Sequence, residues 1–332
     1  MTAPTYITLE EAEQRSRVHD NRNREHVNAD TLPVLQVDTL GEFLKLDLPP
    51  RELILAPILA ERSLTMIHAW RGAGKTWMTL SLALAISGGG KCFDWQSLRP
   101  RRVLLIDGEM PAVTLQERLV QLIRGAVPPL STDAVDNLRL LTSDRQPDGL
   151  PDLATPKGQQ AIAPYVDVAD VIIFDNMSTL FGVRENESDD LASVNAYLTG
   201  LRRAGKSVIV VHHQGKGGQQ RGSSRKEDVL DLVLALKRPD DYDAQEGARF
   251  LVVVEKARGL VGAAVKTFEA RLTIAENAAH WSVSDPVDPV LEEIQSLLDE
   301  NKSQREIAKT LGMSPAWVNK MVQRLREAGG DA

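Results

Sequence analysis

Positive charge is in short supply. The chain carries 39 Lys and Arg against 46 Asp and Glu, a net charge of −7 over 332 residues. A polycationic surface is excluded, so any contact with nucleic acid must be local, through a loop or a channel. Cysteine is rarer still. Cys92 stands alone, which excludes a disulfide within the chain and fits a reducing cytosol. Nothing around Cys92 supports a nucleophile. No apolar run approaches the roughly 20 residues of a membrane span. The opening MTAPTYITLEEAEQR lacks the apolar region of a signal peptide. These absences predict a soluble, cytoplasmic protein with no membrane partner. There is no internal repeat of roughly twenty residues or more and no low-complexity run.

What is present centres on LTMIHAWRGAGKTWMTLSL, Leu64 to Leu82. The apolar run Leu64 to Ile67 predicts a buried strand. A glycine-bearing turn follows from Ala69 to Thr76, and Met78, Leu80, Leu82, Leu84 and Ile86 mark a mainly apolar helix. Strand, turn of the GxxxxGK[ST] type and helix make a phosphate-binding loop. Its backbone N–H groups cradle phosphates, and the helix N-terminus adds partial positive charge. Lys75 reaches the β- and γ-phosphates, and the Thr76 hydroxyl ligates Mg²⁺. The first glycine of the pattern is replaced by Ala69. Alanine disfavours positive φ, so the turn is expected to open differently there.

The length predicts one large domain with additions, or two domains. Residues 1–45 form a polar N-terminal arm, with a short helix at Thr8 to Val18 and prolines 33, 49, 50 and 57 marking the entry to the core. Residues 46–284 alternate strand and helix. Val103 to Met110, Asn137 to Leu141, Ala169 to Phe174 and Ser207 to Val211 read as strands, and Val113 to Ile123 and Asp189 to Arg203 as helices. Such alternation predicts an α/β fold with a mostly parallel central sheet, whose ligands sit at the carboxyl ends of the strands. Val229 to Leu236, Phe250 to Glu255, Val265 to Ala270 and His280 to Val283 read as hairpins that extend one edge. Residues 285–332 predict three short helices. Ser303 with Glu306 is a capping box, Ser314 with Pro315 opens the last helix, and Gly312 to Ser314 suits the turn of a helix-turn-helix.

Asp175 closes the apolar strand VIIFD, a Walker B pattern in which a carboxylate holds Mg²⁺. Glu109 follows a strand expected to neighbour the phosphate-loop strand. It is the preferred residue to polarise a water for attack on the γ-phosphate, although Asp107 suits the spacing equally. His212 and His213 end a further strand, and alternation lets only one face the nucleotide. A zinc site is not expected, for want of a third ligand at suitable spacing. The glycine-rich stretch QGKGGQQRGSSRKED carries Lys216, Arg221, Arg225 and Lys226. It reads either as a solvated loop or as a backbone contact to single-stranded nucleic acid. Lys256 and Arg258 read either as a basic strand end or as an arginine finger lent to a neighbour.

Together these residues resemble the RecA-like hexameric ATPases of the RepA type, replicative helicases of plasmids and mobile elements in the AAA_25 class. The resemblance spans about Leu48 to Trp281. It is carried by PPRELILAPILAERSLTMIHAWRGAGKT, VLLIDGEM, VIIFDNMSTLFG, VIVVHHQGKGGQQRGSS and VEKARG, in that order. It implies ATP and Mg²⁺ as cofactors. The nucleotide would lie on Ala69, Trp70, Arg71, Gly72, Ala73, Gly74, Lys75, Thr76 and Trp77, and the metal on Thr76 and Asp175. Glu109, Lys75 and His213 would serve hydrolysis, with Arg258 and Lys256 acting from a neighbouring subunit. A hexameric ring around single-stranded DNA is implied, with a replication initiator or primase as partner. Two other functions fit the same motifs: a KaiC-like regulatory ATPase without unwinding, and an ATP-controlled DNA-binding regulator of replication or transcription.

Overall fold

The computed structural model describes residues 35–182, 188–213, 228–239, 241–286 and 289–328. The chain divides into two compact units, Met1–Arg51 and Glu52–Ala332. In the first, a one-turn helix α1 (Leu40–Phe43) starts at Thr39, whose side chain and that of Glu42 cap each other's backbone. The helix expected at Thr8 to Val18 lies outside the described residues.

The second unit opens with a small ribbon, β1 (Leu53–Leu55) and β2 (Leu59–Ala60). Next come β3 (Leu64–Ala69), α2 (Lys75–Gly88), a second ribbon of β4 (Lys91–Cys92) and β5 (Trp95–Gln96), then β6 (Val103–Asp107) and α3 (Ala112–Gly125). After these come α4 (Asp133–Asn137), β7 (Leu138–Thr142), α5 (Pro156–Val168), β8 (Val171–Asp175), α6 (Met177–Leu180), α7 (Ser188–Arg203) and β9 (Ser207–His213). The unit continues with β10 (Leu232–Lys237), β11 (Arg249–Ala257), β12 (Phe268–Ala275), β13 (Ala278–Ser284) and the helices α8 (Pro289–Asp299), α9 (Gln304–Leu311) and α10 (Pro315–Ala328).

Nine strands form one sheet in the order β13-β12-β11-β10-β3-β9-β8-β6-β7. The six from β10 to β7 run parallel. Every residue of β3, β6 and β8 is buried, as expected of strands covered on both faces. Alternation divides their side chains between two cores. Ile67 and Ala69 join the core that holds α2, whereas Leu64 and Met66 join the core that holds Ile162, Val194 and Leu198. Truncating such a residue, Ile173 for example, costs roughly 2–5 kcal/mol.

Two expectations about order are corrected. The segment read as an edge hairpin from Val229 forms β10, which runs parallel to and beside β3. Only β11, β12 and β13 form the antiparallel extension. The third of the expected hairpin strands begins at Phe268, because Gly262–Val265 coils into a 3₁₀ turn. The strand that precedes Glu109 does not neighbour β3 either, since β9 and β8 lie between them.

The last three helices bury Ile294, Ile307, Val318 and Met321, with Leu297, Leu298, Leu311 and Leu325 packed against them. Ser303 and Glu306 form the capping box of α9, and Gly312 ends that helix at φ 66°, a backbone state that glycine adopts without steric cost. Among the described residues no helix is long and apolar enough to cross a membrane.

Candidate active site

The carboxyl ends of β3, β6, β8 and β9 open onto a cavity of about 530 Å³, bordered by Gly74, Lys75, Thr76, Glu109, Asp175 and His213. The turn that builds its floor needs glycine at two places. Gly72 and Gly74 sit at φ 75° and 97°. A Cβ on Gly74 would lie 2.8 Å from that of Ala248. Ala69, by contrast, is the last residue of β3 and fully buried. It keeps strand geometry, so replacing the first glycine leaves the turn unstrained, contrary to the sequence expectation.

Lys75 begins α2 and folds back into the turn. Its ammonium donates to the carbonyls of Ala69 at 3.1 Å and Trp70 at 2.9 Å. Burial lowers its pKa to about 8, against the pull of the Asp175 and Glu109 carboxylates. A bound polyanion restores the charge that burial weakens. Thr76 lies beside Asp175, where its hydroxyl draws the carboxyl pKa down against the larger effect of burial.

Asp175 and Asp107 end neighbouring strands in register. Burial, and then the Asp107 carboxylate, push the pKa of Asp175 up to about 7. Its Oδ2 is buried without a hydrogen-bond partner. An orphaned buried carboxylate oxygen beside a hydroxyl is a donor set that fits Mg²⁺. Burial raises Asp107 as well, but its Oδ1 accepts the N–H groups of Glu109 at 3.0 Å and Met110 at 2.7 Å. Asp107 thus holds the loop that carries Glu109. The two carboxylates that spacing left equivalent both border the cavity, but Asp107 is buried and engaged by backbone N–H groups, whereas the Glu109 side chain is largely exposed.

Glu109 meets two partners there. Its Oε2 accepts from Asn176 Nδ2 and lies 3.3 Å from His213 Nε2, which is itself 3.0 Å from the same Asn176 nitrogen. Burial, then Lys75, lower the pKa of His213, which favours the neutral ring at pH 7. The sequence reading missed Asn176. Its Oδ1 accepts from Ser178 and Thr179 at the start of α6, so an asparagine at a helix start after a Walker B aspartate was the available signal. It missed Arg118 too, whose guanidinium sits 4.8 Å from the Trp77 ring centroid at the cavity wall, and Tyr242, which borders the cavity from the other side. His212 pairs in register with His68 and is not among the residues that border the cavity.

Lys256 and Arg258 lie elsewhere. Strand β11 is antiparallel to β10, and Lys256 pairs with Val233 and Ala257 with Leu232, level with Thr65 at the start of β3. The phosphate loop leaves the other end of that strand, about 13 Å away at ~3.3 Å per residue. Arg258 there donates to the Asp228 carbonyl at 2.6 Å. The expected edge position is corrected to an internal strand, since β12 and β13 lie outside β11. The basic residues Lys216, Arg221 and Arg225 fall outside the described residues.

Residues 28–219 match the family model described as AAA domain, AAA_25. Residues 290–329 match the model described as winged helix-turn-helix DNA-binding. Among solved structures, the chain is similar to the flagellar accessory protein FlaH from Methanocaldococcus jannaschii, with 15% identity over 68% of this chain and 90% of that chain and a TM-score of 0.48. A KaiC-like protein from Pyrococcus horikoshii OT3 is similar at 13% identity over 67% and 90%, TM-score 0.46. The RadB recombinase is similar at 19% identity over 67% and 91%, TM-score 0.44.

Proposed function

The chain belongs to the AAA domain family AAA_25, and from that premise we propose that it is an ATP-driven DNA helicase or translocase that works as a ring of identical copies on single-stranded DNA. The observation that carries the reading is the convergence of Lys75, Asp175, Glu109 and His213 on one cavity at the strand ends. The turn from Ala69 to Thr76 binds the triphosphate through its N–H groups, and Lys75 leaves its two carbonyl partners for the terminal phosphates. Thr76 and Asp175 would hold Mg²⁺, which would supply charge neutralisation at the phosphates. Glu109 polarises the attacking water, and Asn176 fixes the direction of its carboxylate. His213 touches the same carboxylate and is followed directly in sequence by the glycine-rich basic stretch from Gln214. A contact between His213 and the γ-phosphate therefore reaches Lys216, Arg221 and Arg225 through the chain itself. These residues bind the DNA backbone in this reading.

A second reading, an ATP-controlled DNA-binding regulator, is favoured by the match of residues 290–329 to a winged helix-turn-helix. A forked duplex separates the two. With ATP and Mg²⁺, the full chain is expected to displace the annealed strand. Absence of displacement, together with sequence-specific binding of duplex DNA that requires residues 286–332, would favour the regulator.

A further inference from the structure

On the side of the phosphate loop away from Glu109 and His213, the connection from β10 to β11 carries Tyr242 to the cavity wall with Ala244, Gly247 and Ala248. This connection is pinned. Arg249, only 6% exposed, donates to Asp241 at 2.9 Å, Glu246 at 3.0 Å and the buried Glu269 at 2.6 Å. The Tyr242 hydroxyl donates to the Gly247 carbonyl at 2.9 Å. Asp243 accepts from the N–H of Gln245 at 2.8 Å. The Arg238 guanidinium sits 4.7 Å from the Tyr242 ring centroid, beside the position a Cβ would take on Gly72. Charge-assisted bonds of this kind fix geometry more firmly than neutral ones.

Strand order gives the aromatic ring its direction. Asp175, Glu109 and His213 approach the phosphate loop from β8, β6 and β9, on one side of β3, whereas Tyr242 approaches from β10 and β11, on the other. A nucleotide whose terminal phosphate points at Glu109 directs its base toward Tyr242. We propose that Tyr242 is the nucleobase platform of this site, its ring held by the Arg249 clamp and the Arg238 stack before any nucleotide arrives. This rests on the nucleotide-binding reading of the cavity and adds which residue takes the base. Stacking recognises the π-face of a base without a hydrogen-bond code, so purines gain more than pyrimidines by area alone.

The test is calorimetric titration of the full chain with ATP, CTP and inorganic tripolyphosphate. Tyr242→Ala is expected to raise the Kd for ATP about 5- to 150-fold, to narrow the gap between ATP and CTP, and to leave tripolyphosphate unchanged. Tyr242→Phe, which keeps the ring, is expected to retain ATP affinity. Unchanged ATP affinity in Tyr242→Ala would overturn the platform. So would an equal loss for ATP and tripolyphosphate, which would make Tyr242 a support of the loop only. Lys75→Ala separates this from the site itself: if it left both affinities intact, the phosphate-loop reading would fall whatever Tyr242→Ala does.

Discussion

Arg258→Ala is expected to lower the turnover of assembled protein by about 10³–10⁵-fold, the range of an arginine finger, while ATP affinity changes little. The expectation follows from direction. Arg258 sits level with the start of β3, at the opposite end of the sheet from its own phosphate loop. It is exposed, and its guanidinium donates to a backbone carbonyl. It lies far from its own phosphate loop, so in the proposed ring it would serve a head-to-tail copy. Arginine suits that task because its planar, permanently charged fork matches phosphate oxygens in bidentate fashion. Mixing Lys75→Ala with Arg258→Ala is expected to restore part of the activity, since some interfaces then pair an intact loop with an intact finger. If the mixture stays inactive while mass measurement shows that subunits have exchanged, Arg258 does not act in trans.

Glu109→Gln is expected to keep ATP binding and lower hydrolysis by about 10²–10⁴-fold, the usual contribution of a positioned general base. The amide preserves size and can still meet Asn176, but it cannot take a proton from water. Nucleotide binding followed by fluorescence, beside phosphate release, distinguishes the two steps. Asp107→Asn is expected to act differently, because Asp107 accepts the backbone N–H groups of Glu109 and Met110. Its loss loosens the loop and weakens binding and turnover together. If Asp107→Asn alone kept binding and lost hydrolysis, the base would be Asp107.

The strands β3, β6, β8 and β9 are legible in the sequence because a strand covered on both faces reads as a short, mostly apolar run, and each is one. Their order is not. Where a crossover helix returns the chain depends on packing between segments far apart in sequence, so β6 reads as a neighbour of β3 although β9 and β8 intervene. For the same reason Arg258 can be read as a strand-end residue, while the antiparallel turn that sends it to the far end of the sheet cannot. Lys75, Thr76 and Asp175 are visible from local pattern, because phosphate-loop chemistry constrains consecutive residues. Tyr242 carries no such pattern. Its position is set by Arg249 gripping Asp241, Glu246 and Glu269, and that clamp exists only once β10, β11 and β12 have paired.

The most direct test of the account is steady-state phosphate release from ATP by the full chain, beside Lys75→Ala at equal concentration and with Mg²⁺ present. Lys75 is the cation that the turn holds ready beside Asp175 and Glu109, so the intact chain is expected to release phosphate and the variant to fall to the background rate. Equal rates from both proteins would contradict the claim that this cavity hydrolyses ATP.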